Sequence, residues 1–335
     1  MNTLDSASRR DFLKRALSGA AVVSACGVRE LLAAEPGETA AKSRVVVARD
    51  AQLRGTGSTV DSGRMLNLLD RAMQAQFDRD NPIEVWRKVV RSGQIVGIKV
   101  NTLGGRGVAS NPQLVEAICE RLQEAGIKAG DIVVWDRDSE EMEHGGFHLA
   151  LGGNRVQCYG TDRVGYEQDL VEYGSVGSQL SKILTRHCNV LINVPVLKDH
   201  DGAGVTCALK NMYGVIHNPN KYHPNGCNPY IADLNMLPDI RSRMRLTICD
   251  ATTIIYEGGP GYKPEHSSKH NALLVAQDPV ALDSVGWQII ERKRAEMGLK
   301  TLESDDRAPR YIATAADREH RLGTNDPRKI AKIEL

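Results

Sequence analysis

The run "VLINVPVL" at 190–197 constrains the fold more than any other stretch of the chain. An apolar run of this length leaves no side for water, so a strand formed here must be covered on both faces. Only 4% of the residues are aromatic although 41% are hydrophobic, so the core is built mainly from Val, Ile, Leu and Ala. That is the filling of a sheet buried under helices rather than of an aromatic-rich sandwich.

The rest of the chain supplies such helices. From residue 44 onward, short β-branched runs alternate with helical patterns, the signature of parallel β-α units. Strands are expected at 44–49, 94–101, 131–136, 155–160, 188–197, 245–251 and 271–276, with a final edge strand in "RKIAKIEL". Helices are expected near 62–78, 83–90, 111–126, 176–186, 230–243 and 280–298, and in "VTCALKNMYGVI". The clearest of these begins with Asn111 as cap and Pro112 in the first turn, and Gly126 can end it. The expected architecture is one α/β domain over 44–335: a mostly parallel sheet, helices on both faces, and long loop insertions.

The N-terminal region reads as targeting. "SRRDFLKR" fills every position of a twin-arginine export pattern, and the following "ALSGAAVVSA" is about ten residues long, where a stable membrane span takes roughly 20. Residues 1–26 are expected to be the signal, with Cys26 in a lipoprotein-type position, or with cleavage after Ala25 or Ala41. Residues 27–43 form a polar linker. The implied partner is the twin-arginine translocase, the implied location the periplasm or the outside of the cytoplasmic membrane, and any membrane contact runs through the signal or a lipid anchor. Lys and Arg number 43 against 42 acidic residues, with no basic block beyond the signal, which argues against nucleic acid as a partner.

In parallel sheets, ligands bind beyond the carboxyl ends of the strands. The residues following each expected strand are Arg49 and Asp50; Lys99 and Asn101; Asp136, Arg137 and Asp138; Lys198, Asp199 and His200; Asp250; and Gln277 and Asp278. They are expected to share one rim. Lys198 and His200 stand out, because two ionisable groups two residues apart at the mouth of a buried strand sit where burial and neighbouring charge tune acid–base chemistry. "GGRG", "DGAG" and "GGPG" also follow strands and can bring backbone N–H groups close to an anion. Asp278 before Pro279 suits a helix cap equally well.

The segment "HNPNKYHPNGC" offers His217, His223 and Cys227 as metal ligands, which His200 or Asp250 could join. A surface loop rich in turn formers accounts for the same residues. The chain contains no C-x-x-C, so it lacks a ferredoxin-type cluster motif and a zinc ribbon.

"VGIKVN", "NVPVLKDH", "GVTCALKNMYGVI", "GGPG" and "QDPVALDSVG", in this order and behind a twin-arginine signal, resemble exported members of the family called domain of unknown function 362. The resemblance implies an α/β fold and motif positions at Lys99, Asn101, Lys198, His200, Lys210, Asn211, Gly259, Asp278 and Asp283. Many members of that family carry an iron–sulfur segment, which this chain lacks.

Together these features point to a cofactor- or metal-assisted enzyme acting on a small anionic or carbonyl compound. Lys198, His200 and Lys99 would be catalytic, and Asn101, Asp136, Lys210, Asn211, Asp250 and Gly259 would bind the ligand. A non-catalytic metal or redox protein of the iron–sulfur-associated kind, and a cell-envelope ligand-binding module, are the alternatives.

Overall fold

The computed structural model describes residues 42–335; the twin-arginine pattern, Ala25, Cys26 and Ala41 lie outside the described residues. In chain order the first half contains β1 (Ser43–Arg49), α1 (Ser62–Phe77), α2 (Pro82–Val89), β2 (Val96–Lys99), α3 (Pro112–Glu124), β3 (Ile132–Trp135), α4 (Ser139–His144) and β4 (Gln157–Cys158). A small hairpin of β5 (Val171–Tyr173) and β6 (Val176–Ser178) leads to α5 (Lys182–Arg186), β7 (Val190–Asn193), β8 (Val196–His200) and β9 (Gly204–Thr206). Then follow α6 (Tyr230–Met236), α7 (Pro238–Arg243), β10 (Met244–Ile255), β11 (Ser267–Ala276), α8 (Pro279–Glu296), α9 (Tyr311–Ala315) and β12 (Ile330–Glu334).

Ten strands form one mixed, mostly parallel sheet in the order β12-β1-β11-β10-β7-β2-β3-β4, with β8 joining β10 and β9 joining β8. Burial on both faces is visible along β1, where Val46 and Ala48 enter one core and Val45 and Val47 the other. Helices α1, α2 and α3 cover the first face, with Met65, Leu69, Trp86, Leu114 and Ile118 packed on Val96, Ile98, Val134 and Ile192. On the opposite face α5, α6, α7 and α9 cover the β3 side and α8 the β10 side. Asn111 caps α3 by accepting from Gln113 N at 3.0 Å, a bond of the kind that contributes about 1 kcal/mol. Among the described residues no helix is long and apolar enough to cross a membrane.

The long apolar run is two strands. Pro195 has no N–H to give a ladder, so β7 stops at Asn193 and the chain restarts as β8. The Pro195 carbonyl still accepts from Asp250 N at 2.8 Å. β10, twelve residues long, pairs with β7 along its first half and with β8 along its second, so β8 and β9 rise beyond the sheet rim as a hairpin.

Four expectations need correction. "VTCALKNMYGVI" is not an α-helix: Gly204–Thr206 pairs with β8, and Lys210–Val215 is a 3-10 turn. The segment near 176–186 begins as β6 before the short α5, and the helix expected over 230–243 breaks at Leu237, ahead of Pro238. Finally, β11 runs antiparallel to both β1 and β10. Gln277 and Asp278 therefore sit at the opposite rim, where Asp278 caps α8 and accepts from Ser43 Oγ at 2.6 Å.

Candidate functional site

Lys198 and His200 are two residues apart on β8, so strand alternation puts both on one face. Thr206 stands opposite Lys198 across the hairpin and adds a third polar side chain to that face. The intervening residues point the other way. Leu197 and Val205 enter the core, and Asp199, fully buried, meets Arg307 Nη1 at 3.0 Å and Arg294 at 4.0 Å. Alternation thus divides a Leu-Lys-Asp-His sequence into a structural side and a functional side.

The functional side opens on a cavity of about 300 Å³ at the carboxyl ends of β2, β3 and β8. Its walls include Lys99, Asn101, Asp136, Lys198, His200, Lys210, Asn211 and His223, together with Thr206 and Tyr213. With Arg137 at the mouth, nine of the residues singled out in the sequence therefore meet in one place. Lys99, Asn101 and Asp136 come from strand ends that the parallel register of β2 with β3 brings level, Lys198 and His200 from β8, and Lys210, Asn211 and His223 from the 3-10 turns that follow the hairpin.

The three lysines are held differently. Lys99 Nζ donates to Asp136 Oδ1 at 2.6 Å and to the Val100 carbonyl at 2.7 Å. Burial would raise the Asp136 carboxyl, but Lys99 and N–H bonds from Thr102 and Arg137 outweigh it and hold the group below the usual value. Lys198 Nζ has no carboxylate partner among the described residues; it donates to Asn101 Oδ1 at 3.1 Å and the Leu103 carbonyl at 2.6 Å. Burial, with Lys210 adding to it against the pull of Asp136, lowers this amine to about 7. Lys210 lies 4.2 Å over the Tyr213 ring and donates to His223 Nε2 at 3.3 Å; burial lowers it to about 8.

The tautomers of the two histidines follow from their bonds. His200 Nδ1 accepts from the N–H groups of Gly202 and Ala203 at 3.1 and 3.2 Å, so its proton is on Nε2. His223 Nδ1 donates to the Pro219 carbonyl at 3.1 Å, which leaves Nε2 free to accept from Lys210. The rings stack 5.5 Å apart, and burial with Lys210 alongside pushes His200 down to about 2, so it is neutral at any ordinary pH.

An amide chain fixes Asn101. The Ala208 carbonyl accepts from Asn193 Nδ2 at 2.9 Å, Asn193 Oδ1 from Asn211 Nδ2 at 2.7 Å, and Asn211 Oδ1 from Asn101 Nδ2 at 3.0 Å. Because the chain starts on a carbonyl, each amide has one permitted orientation, and Lys198 always meets an oxygen. Asp283, buried on α8, anchors the chain's base by accepting from Ala208 N at 2.6 Å. Gly214 closes the floor: a Cβ there would lie 2.6 Å from Lys99 Nζ and 2.9 Å from Asp136 Oδ1.

Other expected residues are elsewhere. Asp250 does not line the cavity, since its carboxylate accepts from Asn111 N and Thr252 N at 2.7 and 2.8 Å. Gly259 sits behind the hairpin, where a Cβ would lie 1.9 Å from the Asp199 carbonyl, so it positions β8 rather than touching a ligand. His217 is tied to Ser178 and Gln179, away from His223, and Cys227 Sγ packs on the His223 carbonyl. The structure does not assemble these three as a metal site, and among the described residues no three His, Cys, Asp or Glu side chains converge on one. All six described cysteines are buried free thiols.

Sequence reasoning missed Asn193 and Thr206. A polar residue inside the apolar run was the signal for the first. The second is invisible until the hairpin register is known.

A family profile described as Domain of unknown function (DUF362) matches residues 96–288. The chain belongs to this family. The DUF362 region contains every residue of the cavity wall, from Lys99 to Pro260. A crystal structure of a structural-genomics target from Thermotoga maritima aligns with 8% identity and a TM-score of 0.39, covering 71% of this chain and 60% of that one. The chain thus spans about 60% of the length of that protein. No curated protein matches it.

Proposed function

We propose that this DUF362 protein is an exported enzyme that acts on a small anionic carbonyl compound held at the carboxyl ends of its strands. The observation that carries the reading is the convergence of Lys198, His200 and Thr206 from one hairpin face with Lys99, Lys210 and His223 in a single small cavity. A volume of about 300 Å³ suits a compound of a few heavy atoms, at the lower end of ligand sites. Even with Lys198 neutral, Lys99 and Lys210 outnumber the single Asp136 in the inner wall and favour an anion, and Arg137 at the mouth is offset by its Glu141 partner. His200 offers an Nε2–H to a carbonyl oxygen, and the Lys210–His223 couple can carry a proton. The twin-arginine pattern supports export to the periplasm or the outer side of the membrane through the translocase.

His200→Asn is the discriminating variant, because an Asn oxygen replaces Nδ1 as acceptor for Gly202 and Ala203 while Nε2 is deleted. Screened against small carboxylates and 2-oxo acids, the variant should keep its melting temperature and lose turnover or ligand-induced stabilisation. A variant that melts much earlier would make His200 structural and remove the support for this reading.

A further inference from the structure

Lys198 differs from its two neighbours in what its nitrogen can do next. A neutral amine has two N–H bonds and one lone pair. Asn101 Oδ1 and the Leu103 carbonyl take two donors, and neither is charged, so neither requires an ammonium. The amide chain from Ala208 prevents Asn101 from turning its own N–H groups toward the amine. The third position on nitrogen is left for the cavity. Lys99, by contrast, is engaged by the Asp136 carboxylate at 2.6 Å, and Lys210 lies over the Tyr213 ring and donates to His223.

Two further groups are placed for chemistry at that nitrogen. The hydroxyl of Thr206, buried opposite Lys198 in the hairpin, has no hydrogen-bond partner among the described residues, an arrangement that is costly unless a ligand satisfies it. His200 lies on the same face, its Nε2–H without a partner among the described residues.

We propose that Lys198 forms an imine with the carbonyl carbon of a small 2-oxo carboxylate. This rests on the anion-pocket reading above and deepens it. The Lys198 lone pair attacks the carbonyl carbon while the carbonyl π pair moves to oxygen. That oxygen takes up a proton and the nitrogen loses one, giving a carbinolamine whose hydroxyl meets Thr206 and His200. Loss of that hydroxyl with a proton as water leaves the C=N bond, so amine and ketone yield imine and water with no oxidant or reductant. Lys210 holds the carboxylate, which selects a 2-oxo acid over a neutral aldehyde. The lowered basicity of the Lys198 amine, at about 7, agrees with this geometry.

The test is reductive trapping on the full chain. Pyruvate with cyanoborohydride should leave one reduced adduct, mapped by peptide mass spectrometry to Lys198, dependent on the reductant and slowed by lactate, which has the carboxylate without the carbonyl. Lactate should raise the melting temperature without labelling. Adducts only on other lysines, or none although both acids raise the melting temperature, would overturn the imine and leave the anion pocket standing. No adduct together with no thermal shift from either acid would overturn both. Mapping in the unmodified protein keeps the result decisive even where a Lys198→Met variant fails to fold.

Discussion

Lys198 faces Thr206 across the β8–β9 hairpin, so an amine held by two neutral oxygens stands beside a buried hydroxyl that has no partner among the described residues. A polar atom left unsatisfied in a tightly packed wall costs stability, and its counterpart is sought in what the cavity binds. Thr206→Val keeps the shape and deletes the hydroxyl. It should leave stability unchanged or raise it by about 1 kcal/mol in urea denaturation, while slowing reductive labelling of Lys198. A loss of stability would mean that the hydroxyl is already satisfied in the unliganded protein.

Lys198 also sets a pH dependence. Its amine titrates at about 7 when folded against an ordinary 10.5, so between these values the unfolded chain binds the extra proton. Stability from this group therefore rises with pH through that window and is lost as pH falls toward 7. The melting temperature of the wild type should gain on that of Lys198→Met between pH 7 and 10. A constant difference would place the amine outside the low-polarity setting described above.

Asn101→Asp puts a carboxylate where Lys198 meets an amide oxygen at 3.1 Å. The new charge stabilises the ammonium, so the labelling curve, expected to rise through about pH 7 in the wild type, should move to higher pH. Lactate binding should weaken, because the added carboxylate opposes an anion, yet remain measurable. The displaced curve separates tuning of the amine from simple damage to the pocket.

Gly214→Ala forces a methyl group against the Lys99–Asp136 pair, which is buried and cannot move aside without parting. Overpacking of this kind costs roughly 1–3 kcal/mol, and the lowered denaturation midpoint should be accompanied by lost lactate binding. Gly177→Ala, where no atom lies within 4 Å of the added carbon, is the matched control and should be close to neutral.

Behind the hairpin, Arg307→Ala removes the nearer cation from buried Asp199. Breaking a fully buried pair costs roughly 3–5 kcal/mol, but Arg294 remains at 4.0 Å, so a loss of about 2 kcal/mol is expected in chemical denaturation. The pH profile of Lys198 labelling should not change, because Asp199 faces away from the cavity.

The sequence made the cavity legible where chemistry and periodicity coincide. Lys99, Asp136, Lys198 and His200 were found because they follow buried runs whose strands proved parallel. Lys210 and Asn211 came through the family motif, with the wrong local structure attached, since the run around them has helical composition but is held in a 3-10 turn by Asp283, Asn193 and the tight passage at Gly214. Asp278 was assigned to the wrong rim because strand direction depends on pairing across the sheet, which no local pattern encodes. Asp250 failed for a related reason: β10 continues past it to Ile255, so the carboxylate lies within the strand and serves backbone N–H groups. Thr206 required the hairpin register, a relation between residues eight apart on paired strands.

The described chain enters the sheet through Ser43, beside Asp278. From there β1 runs seven residues, roughly 20 Å, before reaching the rim on which the cavity opens. Whatever is joined ahead of Lys42, whether an affinity tag, a fusion partner or a surface linkage, therefore attaches at the far end of the strands. Tethered directly at Lys42, the described domain would present its cavity mouth to the surrounding solution, so binding assays on a coated sensor should give the same affinities as assays of that domain in free solution.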